Sequence, residues 1–285
     1  MNKPYVVSAD IQLLLSRWAI EKGFVLPSDH FIVELRGEFS RFMKDMFLSF
    51  ELVSETELAK GIKQLVLESG LSSVSLDRAY FDADAHLDFT RLVDNNGRDL
   101  GLGHRPGTPF LPQQFRKLEE ENLREIVLVD DVVFTGELIV EVIQRLSSLG
   151  IKVSLVCVGV GIAEGIHQIN QLNCEVRCVR RYEEVIDEIC ERDFYPGIPF
   201  SGRLLIGNGN VGVPYLLPFG DPGKWASIPL EWQVPFSEFC IKQTVKLFEE
   251  IERCSSKIIS CAELGRMVST LPQDKTRFVD ALRVL

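Results

Sequence analysis

The residues most able to do chemistry lie together in one short segment, IVLVDDVVFTGEL, at positions 126–138. Its four aliphatic residues predict a buried strand of a parallel sheet. Asp130 and Asp131 follow at the carboxyl end of that strand, where open α/β sheets bind their ligands. Two adjacent carboxylates repel each other and resist desolvation, so they require hydroxyl groups, a hard cation or both as partners. Thr135 and Gly136 then begin a predicted helix, whose free N–H groups and positive dipole end can bind a phosphate.

A site for a diol or a metal ion next to a site for a phosphate is the combination that a ribose 5-phosphate requires. The segment also resembles the phosphoribosyl-pyrophosphate motif of the type I phosphoribosyltransferases, which has four aliphatic residues, two acids, two aliphatic residues, any residue, Thr, Gly, any residue, and Thr or Ser. The resemblance implies that Asp130 and Asp131 hold the ribose 2- and 3-hydroxyls and act electrostatically in catalysis. It also implies that the following residues bind the 5-phosphate: Val132, Val133, Phe134, Thr135, Gly136, Glu137 and Leu138.

The segment departs from the family pattern at two positions. Leu138 stands where the pattern ends in Thr or Ser, which removes one hydroxyl contact to the phosphate. Phe134 stands where some purine enzymes of the family carry a catalytic aspartate, so base catalysis of that kind is not supported. The family's pyrophosphate loop is also not recognisable between Ser72 and Ala85. Arg78 is the only cationic residue of that stretch.

A hairpin precedes the motif, because alternating residues from Ala85 to Leu92 lead into the turn dipeptide Asn96-Gly97. The stretch 103–115 that follows contains two glycines and three prolines, so continuous regular structure is not expected there. In the resembled family this region is a flexible lid that excludes water and brings cations to the departing pyrophosphate. Arg91 and Arg105 are the predicted catalytic cations of such a lid, with a solvated surface charge as the alternative for each.

The acceptor is expected to bind downstream of the core strands. The stretch 192–203 loosely resembles the family's base-binding region, so Phe194 and Tyr195 are predicted to stack on a heterocycle and Arg203 to bind its polar edge. The alternative for these aromatic residues is a place in the core. Arg177, Arg180 and Arg181 could neutralise phosphates at the same sheet edge, or could form a solvated charge run.

The surrounding pattern predicts an α/β fold, with a parallel sheet flanked by helices and with helical N- and C-terminal extensions. The predicted regions are a helical region at 1–71, a phosphoribosyltransferase-like core at 72–205, and a glycine- and proline-rich segment with a helical end at 206–285. Within the core, strands are predicted at 126–129, 153–162 and 174–179, and helices at 138–149, 166–172 and 183–192. Outside it, helices are predicted at 11–19, 31–50, 58–67 and 236–253.

The composition restricts the classes of partner. The formal net charge of −10 argues against a protein that coats nucleic acid or an anionic membrane. The sequence has seven cysteines and no CxxC pair, which favours reduced thiols and a cytoplasmic location. A Walker B interpretation of the two acids fails because the sequence has no Gly-Lys-Ser/Thr, and the GxGxxG at 207–212 is followed by Pro214 and is predicted to form turns.

The sequence therefore predicts a Mg²⁺-dependent phosphoribosyltransferase that moves a phosphoribosyl group from phosphoribosyl pyrophosphate to a small nitrogenous acceptor. A sensor of the same fold, which binds phosphoribosyl pyrophosphate without turnover, is the main alternative. An enzyme that makes phosphoribosyl pyrophosphate is a weaker one, because no nucleotide-binding segment is found. The helical N- and C-terminal regions could cover the site or form a homodimer interface.

Overall fold

The computed structural model describes residues 3–121 and 123–285 of the chain. It contains two compact units, each assembled from separated stretches. Unit 1 comprises the residues up to Leu52, Arg91–Gly101 and Ile186–Leu285. Unit 2 comprises Val53–Thr90 and Leu102–Val185. The predicted region boundaries at residues 71 and 205 fall inside these units rather than between them.

The strands of the described residues are β1 (Tyr5–Ser8), β2 (Phe50–Val53), β3 (Ser72–Ser75), β4 (Ala85–His86), β5 (Phe89–Val93), β6 (Asp99–His104), β7 (Glu125–Val133), β8 (Lys152–Ile162), β9 (Glu175–Tyr182), β10 (Asp187–Cys190), β11 (Arg203–Leu205), β12 (Val211–Val213) and β13 (Met267–Val268). The α-helices are α1 (Ile11–Lys22), α2 (Asp29–Met46), α3 (Glu55–Ser69), α4 (Leu111–Glu120), α5 (Glu137–Ser148), α6 (Ala163–Asn170), α7 (Pro222–Ala226), α8 (Gln233–Ser255) and α9 (Phe278–Arg283). Short 3₁₀ turns occupy Glu191–Phe194, Leu230–Trp232 and Cys261–Glu263.

Unit 2 is built on a parallel sheet with the strand order β4-β3-β7-β8-β9. Its central strand β7 is buried from Ile126 to Asp131, as a strand with sheet neighbours on both sides requires. Helices α4, α5 and α6 supply Phe115, Val142 and Ile169 to the apolar core that the strands share, and α3 packs on β8 and β9. The α/β prediction, with a parallel sheet flanked by helices, is confirmed.

The two ends of α3 follow the signals in the sequence. α3 begins after Ser54 and ends at Gly70, whose φ of 64° supplies the left-handed residue that stops the helix.

α4 was not predicted. It begins at Leu111, inside the stretch for which no regular structure is expected. Pro112 is compatible with this helix because a proline in the first turn removes an N–H that has no partner inside the helix.

Unit 1 contains strands where the sequence predicts only helices. β1 and β2 lie in the predicted helical region and form a sheet of order β10-β1-β2. The predicted helix at 183–192 is wrong, because Asp187–Cys190 is a strand that pairs in parallel with Tyr5–Ser8. A partner 182 positions earlier decides this conformation, and local periodicity cannot reveal it.

The predicted hairpin is confirmed, but it is not a separate flap. Its turn is closed by the Asp94 N–H group, which donates to the Arg98 carbonyl at 3.1 Å. Leu92 and Val93 pair in parallel with Leu204 and Leu205, so β5 belongs to a sheet of order β13-β12-β11-β5-β6. No helix among the described residues is both long and apolar enough to cross a membrane.

Candidate functional site

The acid pair lies where strand β3 separates from β7. β3 pairs with β7 only as far as Val129, whereas β8 remains paired with β7 as far as Val133. Asp130 and Asp131 therefore lie directly beyond the last residue of β7 that pairs with β3, at a corner of the sheet. The strand continues for two residues past the acids, so the prediction that they end it is corrected by that distance.

Both carboxylates of the pair are buried. Asp130 is 8% and Asp131 9% exposed. The Asp131 N–H donates to Asp130 Oδ1 at 3.0 Å, and the Val132 N–H donates to Asp131 Oδ1 at 2.8 Å. Burial raises the pKa of Asp130 well above its usual range, and the negative charges of Asp131 and Asp77 raise it further. The site thus holds closely spaced acidic groups that are poorly hydrated, and a hydroxyl donor or a cation would stabilise their ionised form.

The turn between β7 and α5 is fixed by close backbone packing. Gly136 has a φ of +83°, and a Cβ atom there would lie 2.8 Å from the Gly165 carbonyl oxygen. A Cβ atom on Gly165 would in turn lie 2.4 Å from the Phe134 carbonyl oxygen. The turn therefore rests directly on the first turn of α6, and neither glycine can carry a side chain without displacing it. Gly165 was not singled out from the sequence, where nothing marks its contact with the turn.

The side chains of the predicted phosphate-binding residues divide into two groups. Val133 is 1% exposed and belongs to the apolar core, and Leu138 packs against that core. The hydroxyl that the motif pattern places at position 138 is therefore replaced by a packing contact. Thr135 is half-buried and its Oγ1 accepts from the Glu137 N–H at 3.5 Å. The first N–H groups of α5 have no acceptor within the helix, so an anion bound at this turn would be contacted by the backbone.

Asp77 is a third acid at this corner, and it was not predicted. It follows β3 by two residues and is 6% exposed. Its Oδ1 accepts from the Ala79 N–H at 2.6 Å, and its Oδ2 accepts from Arg105 at 3.2 Å. A signal was available in the sequence, because an acid that follows one parallel strand lies near acids that follow the neighbouring strand.

Arg105 is a buried residue rather than an exposed lid cation. It is 7% exposed, and its Nε donates to the Phe89 carbonyl at 2.8 Å. Its guanidinium contacts Asp77, so the predicted contact with a leaving group is replaced by an internal ion pair. Arg78, the cation of the stretch 72–85, forms a bidentate ion pair with Asp88, with N–O distances of 2.6 and 2.8 Å.

Arg91 lies in unit 1, while the acid pair lies in unit 2. Its side chain is exposed on β5, where its positive charge acts on Asp187 and Asp193 of the same unit. Its predicted role at a leaving group therefore stays a prediction.

The predicted acceptor-binding residues are buried inside unit 1. Phe194 and Tyr195 are both 0% exposed, and their rings lie 6.0 and 6.4 Å from the ring of Phe39. Arg203 is 5% exposed, pairs with Asp99 and lies 4.6 Å from the centre of the Trp225 ring. Stacking on a ligand would require a free aromatic face, so the core alternative holds for the two aromatic residues, and Arg203 is engaged inside the unit.

The cations of β9 are paired along the surface. Arg177 contacts Glu175 at 2.8 Å, Arg180 contacts Glu57 at 2.5 Å and Arg181 contacts Glu183 at 3.4 Å. Each pair is partly exposed, so the surface-charge alternative describes them better than phosphate binding does. Within residues 3–121 and 123–285, no group of three or more His, Cys, Asp or Glu side chains is arranged to hold a metal ion.

Comparisons with known proteins give matches only among solved structures. No family model and no curated protein matches the chain. The orotate phosphoribosyltransferase of Aeropyrum pernix is 16% identical, with a TM-score of 0.27, over 43% of this chain and 68% of that one. The adenine phosphoribosyltransferase of Thermoanaerobacter pseudethanolicus is 12% identical, with a TM-score of 0.28, over 43% of this chain and 79% of that one.

A third match is the UMP synthase of Leishmania donovani, which is 17% identical with a TM-score of 0.28. The match covers 45% of this chain and only 26% of the length of that protein. Since the TM-scores are low, the case for function rests on the residues of the site.

Proposed function

We propose that the protein binds phosphoribosyl pyrophosphate at the β7–α5 corner and transfers its phosphoribosyl group to a small nitrogenous acceptor, with release of pyrophosphate. One observation carries the proposal: a buried acid pair beyond the last β3–β7 pairing is followed, after four residues, by Gly136 at the start of a helix. In this proposal, carboxylates that accept hydrogen bonds from sugar hydroxyls and N–H groups that donate to a phosphate lie at the two ends of one short turn.

Each part of the corner has a role in this proposal. Asp130 and Asp131 accept hydrogen bonds from the ribose 2- and 3-hydroxyls, which relieves the repulsion between two poorly hydrated carboxylates. The N–H groups at the start of α5 donate to the 5-phosphate, and the helix dipole favours its charge. Both interactions hold the sugar in place while charge develops at its anomeric carbon.

The oxygen donors at the corner also suit Mg²⁺, which prefers carboxylates and keeps several water ligands. Because the described residues form no complete metal cage, Asp130 and Asp131 would hold the ion directly or through water, and its other ligands would come from the substrate. When bound, the ion neutralises charge on the pyrophosphate.

Titration calorimetry with phosphoribosyl pyrophosphate and Mg²⁺, followed by a pyrophosphate-release assay with a panel of nitrogenous bases, tests the proposal. We expect binding by the parent chain and none by the double variant Asp130→Asn, Asp131→Asn. Glu141→Gln is the matched control, because it removes an exposed carboxylate from α5 without touching the corner. If the double variant binds as tightly as the parent, the site assignment is wrong.

A sensor that binds without turnover is the second candidate, and the two arginines near the corner favour it. Arg105, one of the two cations predicted at a leaving pyrophosphate, is already paired with Asp77, and Arg78, the cation of the stretch 72–85, is paired with Asp88. Tight binding with no pyrophosphate release on any acceptor would select this function over the enzyme.

A further inference from the structure

A buried ion pair lies beside the acid pair, at the base of the β5–β6 hairpin. Asp77 Oδ2 and Arg105 Nη2 are 3.2 Å apart, and neither residue is more than 7% exposed. The last hydrogen bond between β3 and β7 joins the Leu76 N–H to the Val129 carbonyl at 2.8 Å. Asp77 follows Leu76 and Asp130 follows Val129, so the two acids lie at the same end of this strand pair, where the negative charge of Asp77 acts on Asp130.

The guanidinium of Arg105 is held in place by main-chain acceptors. Its Nε donates to the Phe89 carbonyl at 2.8 Å, and its Nη2 also donates to the Leu76 carbonyl at 3.3 Å. The backbone N–H of Arg105 donates to the Asp88 carbonyl at 2.9 Å, which closes the base of the hairpin. Since these contacts come from both sides of the pair, the positive charge is fixed at Asp77 and is not carried by a mobile side chain.

We propose that Arg105 is a positioning residue that acts on ligand binding through Asp77. The inference rests on the proposed function. By neutralising Asp77, Arg105 limits the negative charge at the corner to that of Asp130 and Asp131, the two acids that the sugar or its metal ion can satisfy. Without Arg105, a third buried carboxylate would face a ligand that itself carries several negative charges, and the repulsion would weaken binding.

A double-mutant cycle separates this indirect role from a direct contact between Arg105 and the ligand. The variants are Arg105→Gln, Asp77→Asn and the combination of both, and the measured quantity is the Kd for phosphoribosyl pyrophosphate with Mg²⁺. We expect Arg105→Gln to bind at least about tenfold more weakly, and the combined variant to return to within about threefold of the parent. If the combined variant is as weak as Arg105→Gln, the arginine acts directly and the inference is overturned.

Thermal unfolding, measured in parallel, establishes which variants are folded at the temperature of the titration. Removing one partner of a buried ion pair can prevent folding. If Arg105→Gln does not fold, Asp77→Asn alone tests the inference. This variant keeps the positive charge and is expected to bind as tightly as the parent or more tightly; binding more than about tenfold weaker by the folded variant would overturn the inference. If the parent chain does not bind phosphoribosyl pyrophosphate, both the proposed function and this inference are wrong. If the parent binds but the combined variant does not recover the affinity that Arg105→Gln loses, only the inference is wrong.

Discussion

The contact between Gly136 and Gly165 makes the substitution Gly165→Ala a direct test of the corner. The added Cβ would lie 2.4 Å from the Phe134 carbonyl oxygen, 2.7 Å from Val133 Cγ1 and 2.9 Å from the Gly136 nitrogen. Ordinary contacts between such atoms are about 3.5 Å, so the turn or α6 must move by about 1 Å. Because two of the three neighbours are backbone atoms, a change of rotamer cannot relieve the overlap.

The expected loss of stability is modest and the expected loss of binding is larger. Overpacking costs about 1–3 kcal/mol, and an alanine in a helix returns about 0.5–1 kcal/mol relative to glycine. The net loss is therefore about 0–2.5 kcal/mol in the free energy of unfolding. A displacement of about 1 Å at a site that positions its ligand can cost up to about 100-fold, so binding of phosphoribosyl pyrophosphate should weaken by about 10- to 100-fold.

Chemical denaturation measures the first effect and titration calorimetry the second. Gly37→Ala is the matched control, because its Cβ would meet nothing closer than Arg41 Nη1 at 3.7 Å. That variant should gain about 0.5–1 kcal/mol and bind like the parent. If Gly165→Ala has the stability and the affinity of the parent, the packing of the turn on α6 does not control the site and the reasoning is refuted.

Two further substitutions test the electrostatics of unit 2 and the core of unit 1. Burial raises the folded-state pKa of Asp130, so its contribution to stability is present below about pH 4 and is lost as the pH rises through the raised value. Asp130→Asn should therefore be more stable than the parent at pH 7, and denaturation at a series of pH values should show this gain shrinking toward pH 4. The Tyr195 hydroxyl is buried and has no hydrogen-bond partner among the described residues, so Tyr195→Phe should match the parent or gain up to about 1 kcal/mol in denaturant, with unchanged ligand binding. A clear loss of stability in this variant would reveal a partner for the hydroxyl, and weaker binding would return Tyr195 to the site.

Local signals determined the parts of the fold that depend on neighbouring residues. The aliphatic run before Asp130, the left-handed Gly70 and the Asn96-Gly97 turn each act within a few positions, and the structure contains the strand, the helix end and the hairpin that they predict. The acid pair and the helix start at Gly136 were also predictable, because one strand, one turn and one helix place them.

Contacts between distant segments decided the rest. The stretch around Asp187 has helical periodicity but forms a strand, because Tyr5–Ser8 provides a parallel partner. Phe194 and Tyr195 have the chemistry of a stacking site but lie in the core, because α2 brings Phe39 against them. Asp77 and Arg105 are 28 positions apart, and only the pairing of β3 with β7 and the closure of the hairpin bring their charges beside the acid pair. The sequence alone thus predicted which residues would bind a phosphorylated sugar, whereas the tertiary structure decided which charges surround them, because burial and ion pairing depend on segments that meet only after folding.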